Sequence, residues 1–158
     1  MRIFASLLLF YGGVSILYRP NYEVLYNTWT VDAGCHEALC LRLYILEIGN
    51  TGWSDQDAVS VDIQNHWLEH AQLPPKAAMF GKVPRKLGEE ADGETMRWSL
   101  GKLESGKRID IRFTLGIQQG HALPEWKDIL LGVRPASGEA HFGHPEWTTF
   151  SRFLAAFL

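Results

Sequence analysis

The sequence has few cysteines and no excess of positive charge. Only two cysteines occur in 158 residues, which is too few for a small scaffold held together by many disulfides. Lys and Arg number 15 against 18 Asp and Glu, so the formal net charge is -3. Because nucleic-acid binding needs a basic surface that neutralises phosphates, this balance argues against a nucleic-acid partner.

Motifs of the common enzyme classes are also missing. The sequence contains no Gly-rich phosphate loop, no G-x-S-x-G motif and no dinucleotide fingerprint. The segments between its strand-like stretches lack the periodicity of an amphipathic helix, which argues against a parallel α/β fold. We therefore expect a protein with neither a catalytic centre nor a cofactor.

The first feature that is present is an uncharged segment, residues 3–18, between Arg2 and Arg19. A helix of this length reaches about 24 Å, less than the roughly 30 Å of a bilayer core. Arginine side chains at both ends can extend to the headgroups, and Tyr18 suits the interface. The segment therefore predicts a short transmembrane anchor over residues 1–19.

Two further observations bear on this anchor. Gly12 and Gly13 lack side chains, so the helix can pack closely against other membrane helices. A secretory signal peptide is the alternative interpretation, although no small-x-small cleavage site follows the apolar stretch. A buried core helix is a third. Pro20 is expected to end the helix in each case.

The two cysteines, Cys35 and Cys40, lie in a short loop between two strand-like stretches. Hairpin geometry brings such positions to the Cα separation that a disulfide needs, about 5.5 Å. A disulfide implies an oxidising compartment, so we expect the domain to lie in the periplasm or outside the cell. Unpaired thiols in a reducing cytosol are the alternative.

Most of the remaining chain has the two-residue periodicity of β-strands. In one stretch Val59, Val61 and Ile63 alternate with polar residues, so one face is apolar. Turn signals recur about every ten residues, which is typical of a β-sandwich. The strand-like stretches cover residues 22–31, 41–48, 58–64, 95–100, 108–115, 129–133 and 140–142.

Three segments do not fit this pattern. Residues 66–94 carry several prolines and glycines, including Pro74-Pro75, and are predicted to form a loop with at most one helical turn. Residues 118–127 form a shorter connection. The apolar tail, residues 148–158, predicts a short helix that lies on a membrane, on a partner or on the domain itself. The predicted domain therefore spans residues 20–147.

Two stretches resemble elements of bacterial surface immunoglobulin-like modules, in particular the bacterial cell-adhesion-related domain. Residues 46–52 (LEIGNTG) are similar to its V-x-N-x-G strand-to-turn element, and Asn50 and Gly52 suit positive φ there. Residues 98–113 (WSLGKLESGKRIDIRF) are similar to its W-x-L-G-x-L pattern. The resemblance covers residues 40–117 and implies an all-β, immunoglobulin-like antiparallel β-sandwich, a fold found in spacers, adhesins and interaction modules.

One motif points to metal chemistry. His66, Glu69 and His70 satisfy H-x-x-E-H, in which a zinc peptidase uses two histidines as ligands and the glutamate as general base. That arrangement needs a helix and a third ligand, but Pro74-Pro75 leaves about two helical turns. We therefore keep a zinc-dependent hydrolase as a remote alternative and expect no metal site.

Several large aromatic residues fall in predicted loops, at strand ends or in the tail. Such residues either fill the core or anchor a protein or lipid interface, where tryptophan is enriched. The candidate interface residues are Trp53, Trp67, Trp126, Trp147, Phe150 and Phe153.

These observations predict a non-catalytic accessory subunit, anchored in the bilayer by its N-terminal helix, that binds other membrane proteins from the extracytoplasmic side. The alternative from a different class is a secreted or surface adhesin or ligand-binding module whose N-terminus is a signal peptide. The two differ in whether residues 1–19 persist in the mature protein.

Overall fold

A computed structural model of the chain describes residues 21–36, 38–79 and 88–145. Nine strands and two four-residue helices lie within these ranges. The helices are α1 (Asn65–Leu68) and α2 (Trp126–Ile129). The strands are β1 (Val24–His36), β2 (Leu39–Asn50), β3 (Gln56–Gln64), β4 (Ala71–Met79), β5 (Gly88–Asp92), β6 (Thr95–Leu103), β7 (Arg108–Gln118), β8 (Leu130–Pro135) and β9 (Ala140–Phe142).

The strands form two sheets, which confirms the all-β prediction. Sheet A has the order β4-β7-β2-β1-β9, and sheet B has the order β5-β6-β3-β8. One pair departs from the predicted antiparallel arrangement, because β9 runs parallel to the first three residues of β1. β8 ends opposite Val59, at the end of the sandwich where β1 begins, and the next turn crosses to sheet A, so β9 starts beside β1 and runs in the same direction.

One hydrophobic core lies between the two sheets. Side chains alternate between the two faces of each strand, and those on the inner face form the core. Val59, Val61 and Ile63 face inward from β3, as predicted. Aromatic rings fill the centre: Tyr44 stacks on Phe113 at 5.3 Å, and Trp98 meets Phe113 edge-on at 5.6 Å. Such aromatic packing stabilises a core beyond the area it buries.

The prediction of one long loop over residues 66–94 was wrong. Most of this stretch forms α1, β4 and β5. β4 is an edge strand of sheet A, and its register against β7 shifts twice between Ala71 and Lys76. Proline is tolerated at edges and bulges because it lacks one backbone donor, and this explains how Pro74-Pro75 fits within a strand.

The strand-to-turn element at residues 49–52 links the two sheets. Asn50 is buried, and its side-chain amide donates to the carbonyls of Ser54 and Leu103 at 2.9 Å each while its oxygen accepts the Gly52 N–H. Gly52 is not among the positive-φ glycines, contrary to the prediction. It is needed because a Cβ there would lie 2.6 Å from the Asn21 carbonyl oxygen.

No helix among the described ranges is long and apolar enough to cross a bilayer. The predicted anchor over residues 1–19, with Gly12, Gly13, Tyr18 and Arg19, lies outside those ranges. The tail, residues 148–158, lies outside them as well.

Candidate functional site: a groove at the disulfide end

The sandwich has two ends with different constructions. At one end, here called the Asn21 end, β1 and β7 begin and β2 finishes, and the chain enters at Asn21. At the other, here called the disulfide end, β1 finishes and β2 begins at the Cys35–Cys40 bond. The twelve residues of β2 separate the two ends by about 36 Å, at 3.3 Å per residue.

The disulfide predicted between Cys35 and Cys40 is present. The two residues are direct cross-strand partners of β1 and β2, and a register shift between Asp32 and Gly34 precedes them. Gly34 has a φ of 88° there, which favours glycine. The bond therefore fixes the hairpin end from which β2 starts.

An open groove of about 500 Å³ lies beside this hairpin. Residues from β2, α1, the turn after α1, β7 and the segment after β7 line it: Leu39, Trp67, His70, Gly116, Ile117, Gln118, His121 and Ala122. Small and apolar groups form most of its lining, and polar groups of His70, Gln118 and His121 add to it. A volume of this size is within the range of ligand sites, which are typically apolar with a few polar groups.

Two of the residues singled out in the sequence, Trp67 and His70, line this groove. The Trp67 ring lies 4.5 Å from the His66 ring and 6.4 Å from the His70 ring, and its N–H donates to the Asp128 carbonyl at 3.0 Å. That bond ties α1 to α2. The Trp67 side chain is thus held by a hydrogen bond to Asp128 and also lines the groove.

The H-x-x-E-H motif does not lie on the two-turn helix that a zinc peptidase needs. The helix α1 ends at Leu68, so Glu69 and His70 lie beyond its last residue. Among the described ranges, no group of three His, Cys, Asp or Glu side chains converges in a way that could hold a metal ion. The two imidazoles of the motif flank the Trp67 indole, and only that of His70 lines the groove.

Glycine shapes the floor of the groove. The Gly116 N–H donates to the His70 carbonyl at 3.0 Å, which brings the start of β4 against β7. A Cβ at Gly116 would lie 2.8 Å from the Gln72 side chain. The absence of a side chain at this position therefore lets residues 70–72 pass directly over β7.

Polar contacts, one of them buried, hold Pro124 in the segment that follows β7. The Tyr44 hydroxyl donates to the Pro124 carbonyl at 2.7 Å, and burial raises the pKa of Tyr44 to about 12. Arg42 pairs with Asp32 at 2.5 Å and also donates to the Pro124 carbonyl at 3.3 Å. Its hydrogen bond with Asp32 raises the pKa of Arg42. These contacts attach Pro124 to sheet A.

Trp126, predicted as a candidate interface residue, is a core residue. Its side chain is only 8% exposed and meets Tyr44 and Phe113 edge-on at 5.6 and 5.7 Å. Its N–H donates to the Trp29 carbonyl at 2.9 Å. The sequence placed it in a connection, but α2 turns the ring inward, so it offers little surface to a partner.

Trp53 and the groove lie at opposite ends of the sandwich. Trp53 is 47% exposed and follows Gly52 at the Asn21 end, where Tyr22 is exposed to the same extent. The Ser54 N–H donates to the Asn21 carbonyl at 2.9 Å, which holds this turn against the chain entry. Trp147, Phe150 and Phe153 lie outside the described ranges.

The outer face of sheet A carries an apolar patch that the sequence analysis missed. Trp29 and Val31 are exposed there and lie opposite Ile45 and Leu43 of β2. The alternation of β1 contains the signal, because apolar residues occupy both of its faces.

The outer face of sheet B is polar by contrast. Asp62 is buried there between Arg97 at 2.7 Å and Arg134 at 2.6 Å. The hydrogen bond from Arg97, aided by that from Arg134, lowers the pKa of Asp62 although burial opposes the shift. The centre of the outer face of sheet B therefore carries paired charged side chains rather than apolar ones.

Comparisons with known proteins assign no family. No family model and no curated protein matches the chain. Among solved structures, a GH20 exo-β-N-acetylglucosaminidase from Vibrio harveyi is similar over 78% of this chain, with 11% identity and a TM-score of 0.45. An M1 zinc metallopeptidase from Deinococcus radiodurans is similar over 68%, with 15% identity and a TM-score of 0.29.

The chain spans 18% of the first of these proteins and 22% of the second. Similarity at this level assigns no function to the chain.

Proposed function

We propose that the chain is a non-catalytic accessory subunit of a membrane protein assembly. In this proposal residues 1–19 anchor it in the bilayer, and an immunoglobulin-like sandwich stands in the periplasm or outside the cell. The groove at the disulfide end binds a neighbouring membrane protein. The observation that carries the proposal is the position of the groove at the end opposite the chain entry.

The separation of the two ends supports this arrangement. A chain that leaves the bilayer and enters the fold at Asn21 would hold the groove about 36 Å from the entry point, given the length of β2. An accessory subunit that contacts the extracytoplasmic part of a larger protein needs a binding surface at some distance from the bilayer. The groove offers one, with Leu39, Ile117 and Trp67 in its lining.

The disulfide supports the proposed compartment. Stable disulfides form in oxidising compartments and are rare in the cytosol. The Cys35–Cys40 bond lies at the hairpin beside the groove. A partner of this groove would therefore meet it on the extracytoplasmic side.

The chemistry of the groove suits a protein partner. Interfaces are dominated by a few apolar or aromatic anchors seated in well-packed pockets. A space of about 500 Å³ accommodates several large side chains of a partner. Gln118 and the imidazoles of His70 and His121 would supply the polar contacts that fix orientation.

Solubilisation of native membranes in mild detergent tests the proposal. We expect the intact chain, with residues 1–19 present, to migrate in size-exclusion chromatography with another membrane protein in a fixed ratio. The variant His121→Glu places a charge in the groove and should lose this co-migration, because burial of an unpaired carboxylate is costly. Mass spectrometry identifies the partner and the N-terminus.

His141→Glu is the matched control, since His141 is also exposed but lies on β9, away from the groove. It should leave the co-migration unchanged, and both variants should remain in the membrane fraction. An intact chain that migrates alone would overturn the proposal. A processed chain that is soluble without detergent would instead support the secreted adhesin or ligand-binding module.

A further inference from the structure

We propose that one edge of β1, residues 28–32, binds an extended segment of another protein, which adds a strand to sheet A. This stretch is here called the β1 edge. None of its residues lines the groove, so the inference goes beyond the proposed function and does not depend on it. The segment that fits the β1 edge has apolar side chains at alternate positions and a basic side chain between them.

A neighbouring strand covers only the start of β1. The short strand β9 pairs with residues 24–26, the first three of the thirteen residues of β1. The Gly143 N–H donates to the Tyr26 carbonyl at 2.9 Å, where this pairing ends. Within the part of the chain that the structure describes, no strand pairs with this side of β1 beyond Tyr26.

The backbone groups of the β1 edge are placed to pair with an added strand. The N–H and C=O groups of successive residues alternate between the two sides of a strand, and those of Tyr26 face β9. Because the register against β2 is regular up to Asp32, the backbone groups of Thr28, Thr30 and Asp32 face the same side. The Asn27 side-chain oxygen accepts the Thr28 N–H at 2.9 Å. The Thr28 carbonyl and both backbone groups of Thr30 and Asp32 bond to no other described residue.

The β1 edge lacks the features that protect the other sheet edges. The edge strand β4 contains Pro74-Pro75, β8 ends with Arg134 and Pro135, and β5 has three acidic residues among its five. Proline and charged side chains on edge strands prevent pairing with other chains. Residues 28–32 contain no proline, lysine or arginine, so this edge stays open to an added strand.

The side chains beside the β1 edge determine which segment fits. On the outer face, Trp29 and Val31 are 39% and 51% exposed, and they favour apolar neighbours across the strand pair. On the other face, the carboxylates of Asp32 and Glu125 share the single guanidinium of Arg42 and are themselves exposed. One negative charge is therefore in excess among these three groups. This charge favours a basic side chain in the bound segment.

Binding of a synthetic peptide to the full chain in detergent micelles tests the inference. The probe is acetyl-VTVKVTV-amide, in which valines alternate with polar residues and the lysine suits the excess negative charge. We expect amide hydrogen exchange, followed by NMR, to slow at Thr30 and Asp32 when the peptide is added, because amides that donate to a partner strand are protected. A peptide with glutamate in place of the lysine should bind more weakly.

A charge placed on the outer face provides the variant. Val31→Lys should weaken binding of the lysine peptide about tenfold, because charged side chains on an edge strand oppose pairing. Leu131→Lys is the matched control, since Leu131 is also 51% exposed but lies on β8 of sheet B. It should leave the affinity for the peptide unchanged.

Each other outcome would overturn the inference. Binding without slower exchange at Thr30 and Asp32 would show that the peptide contacts side chains alone, and equal weakening by Leu131→Lys would show that the contact is not specific to β1. Slow exchange at these amides in the free chain that is lost on dilution would assign the edge to a second copy of the chain. A peptide that does not bind at millimolar concentration overturns the inference and leaves the co-migration expected for the groove unaffected.

Discussion

The two ends of the sandwich achieve order by different means. At the Asn21 end, the buried side chain of Asn50 and the close approach of Gly52 to the Asn21 carbonyl join the sheets through hydrogen bonds and a tight contact. At the disulfide end, a covalent bond closes one hairpin, and an open groove remains beside it. At the Asn21 end the Asn50 side chain is hydrogen-bonded within the fold, whereas at the disulfide end the polar side chains of His70, Gln118 and His121 line the groove.

This difference has a consequence for stability and for binding. Substitutions at the Asn21 end should act mainly on the free energy of unfolding, because they leave buried groups unpaired or force the backbone apart. Substitutions at the disulfide end should act more on local opening and on the shape of the groove. The following predictions test this contrast in order of expected size.

Asn50→Ala should have the largest effect. It removes two donated bonds and one accepted bond in the junction between the sheets and should lower the free energy of unfolding by about 2–4 kcal/mol. Urea denaturation measures the change. Asn21→Ala, at the same end, keeps the backbone carbonyl that accepts from Ser54 and should cost less than about 0.5 kcal/mol. Equal losses in both variants would contradict the junction's role.

Gly52→Ala should lower stability by about 1–3 kcal/mol, because the new Cβ would lie 2.6 Å from the Asn21 carbonyl oxygen and 2.7 Å from the Glu23 nitrogen. Thermal unfolding followed by circular dichroism provides the measurement. Gly132→Ala is the matched control, since nothing lies within 4 Å of a Cβ there. A neutral Gly52→Ala would show that the contact with Asn21 is not needed.

Removal of the disulfide by Cys35→Ser/Cys40→Ser should cost about 2 kcal/mol, the loop-closure estimate for a ring of this size. We expect amide exchange to accelerate most at Leu39 and Gln118, which pair at the disulfide end. Exchange at Ile109, near the Asn21 end, should change least. Uniform acceleration along β7 would mean that the bond stabilises the whole sandwich rather than one end.

Tyr44→Phe should have the smallest effect, a loss of about 1 kcal/mol at neutral pH from the bond to the Pro124 carbonyl. The wild type should show an additional alkaline dependence. Because burial raises the pKa of Tyr44 from 10.0 to about 12, its stabilising contribution is complete below pH 10 and declines as the pH rises towards 12. Urea denaturation at pH 9 and at pH 11 should show a smaller loss of the free energy of unfolding between the two pH values in the variant than in the wild type.

Alternation in the sequence was sufficient to predict much of the fold. Val59, Val61 and Ile63 define the inner face of β3, and the short spacing of Cys35 and Cys40 predicted their bond. The strand β4 was missed because Pro74-Pro75 argues locally against a strand. Pairing with β7 at an edge, with bulges beside the prolines, overrides that local preference.

The candidate site was only partly predictable. Trp67 and His70 were singled out as aromatic and ligand residues, whereas His121 and the groove depend on β7 and α1 meeting across a long sequence separation. Trp126 was predicted to lie at an interface, but the four-residue helix α2 directs its ring into the core. Which tryptophan is buried depends on packing between distant segments, and this is not a local property of the sequence.

Site-specific photocrosslinking in native membranes tests the central claim most directly, since it asks which end meets lipid and which meets protein. A photoreactive residue is placed at Gln118 in the groove and, in a second variant, at Glu104 at the Asn21 end, both of which are exposed. We predict a discrete protein adduct from Gln118 and phospholipid adducts from Glu104. Lipid adducts from Gln118 together with a protein adduct from Glu104 would contradict the account.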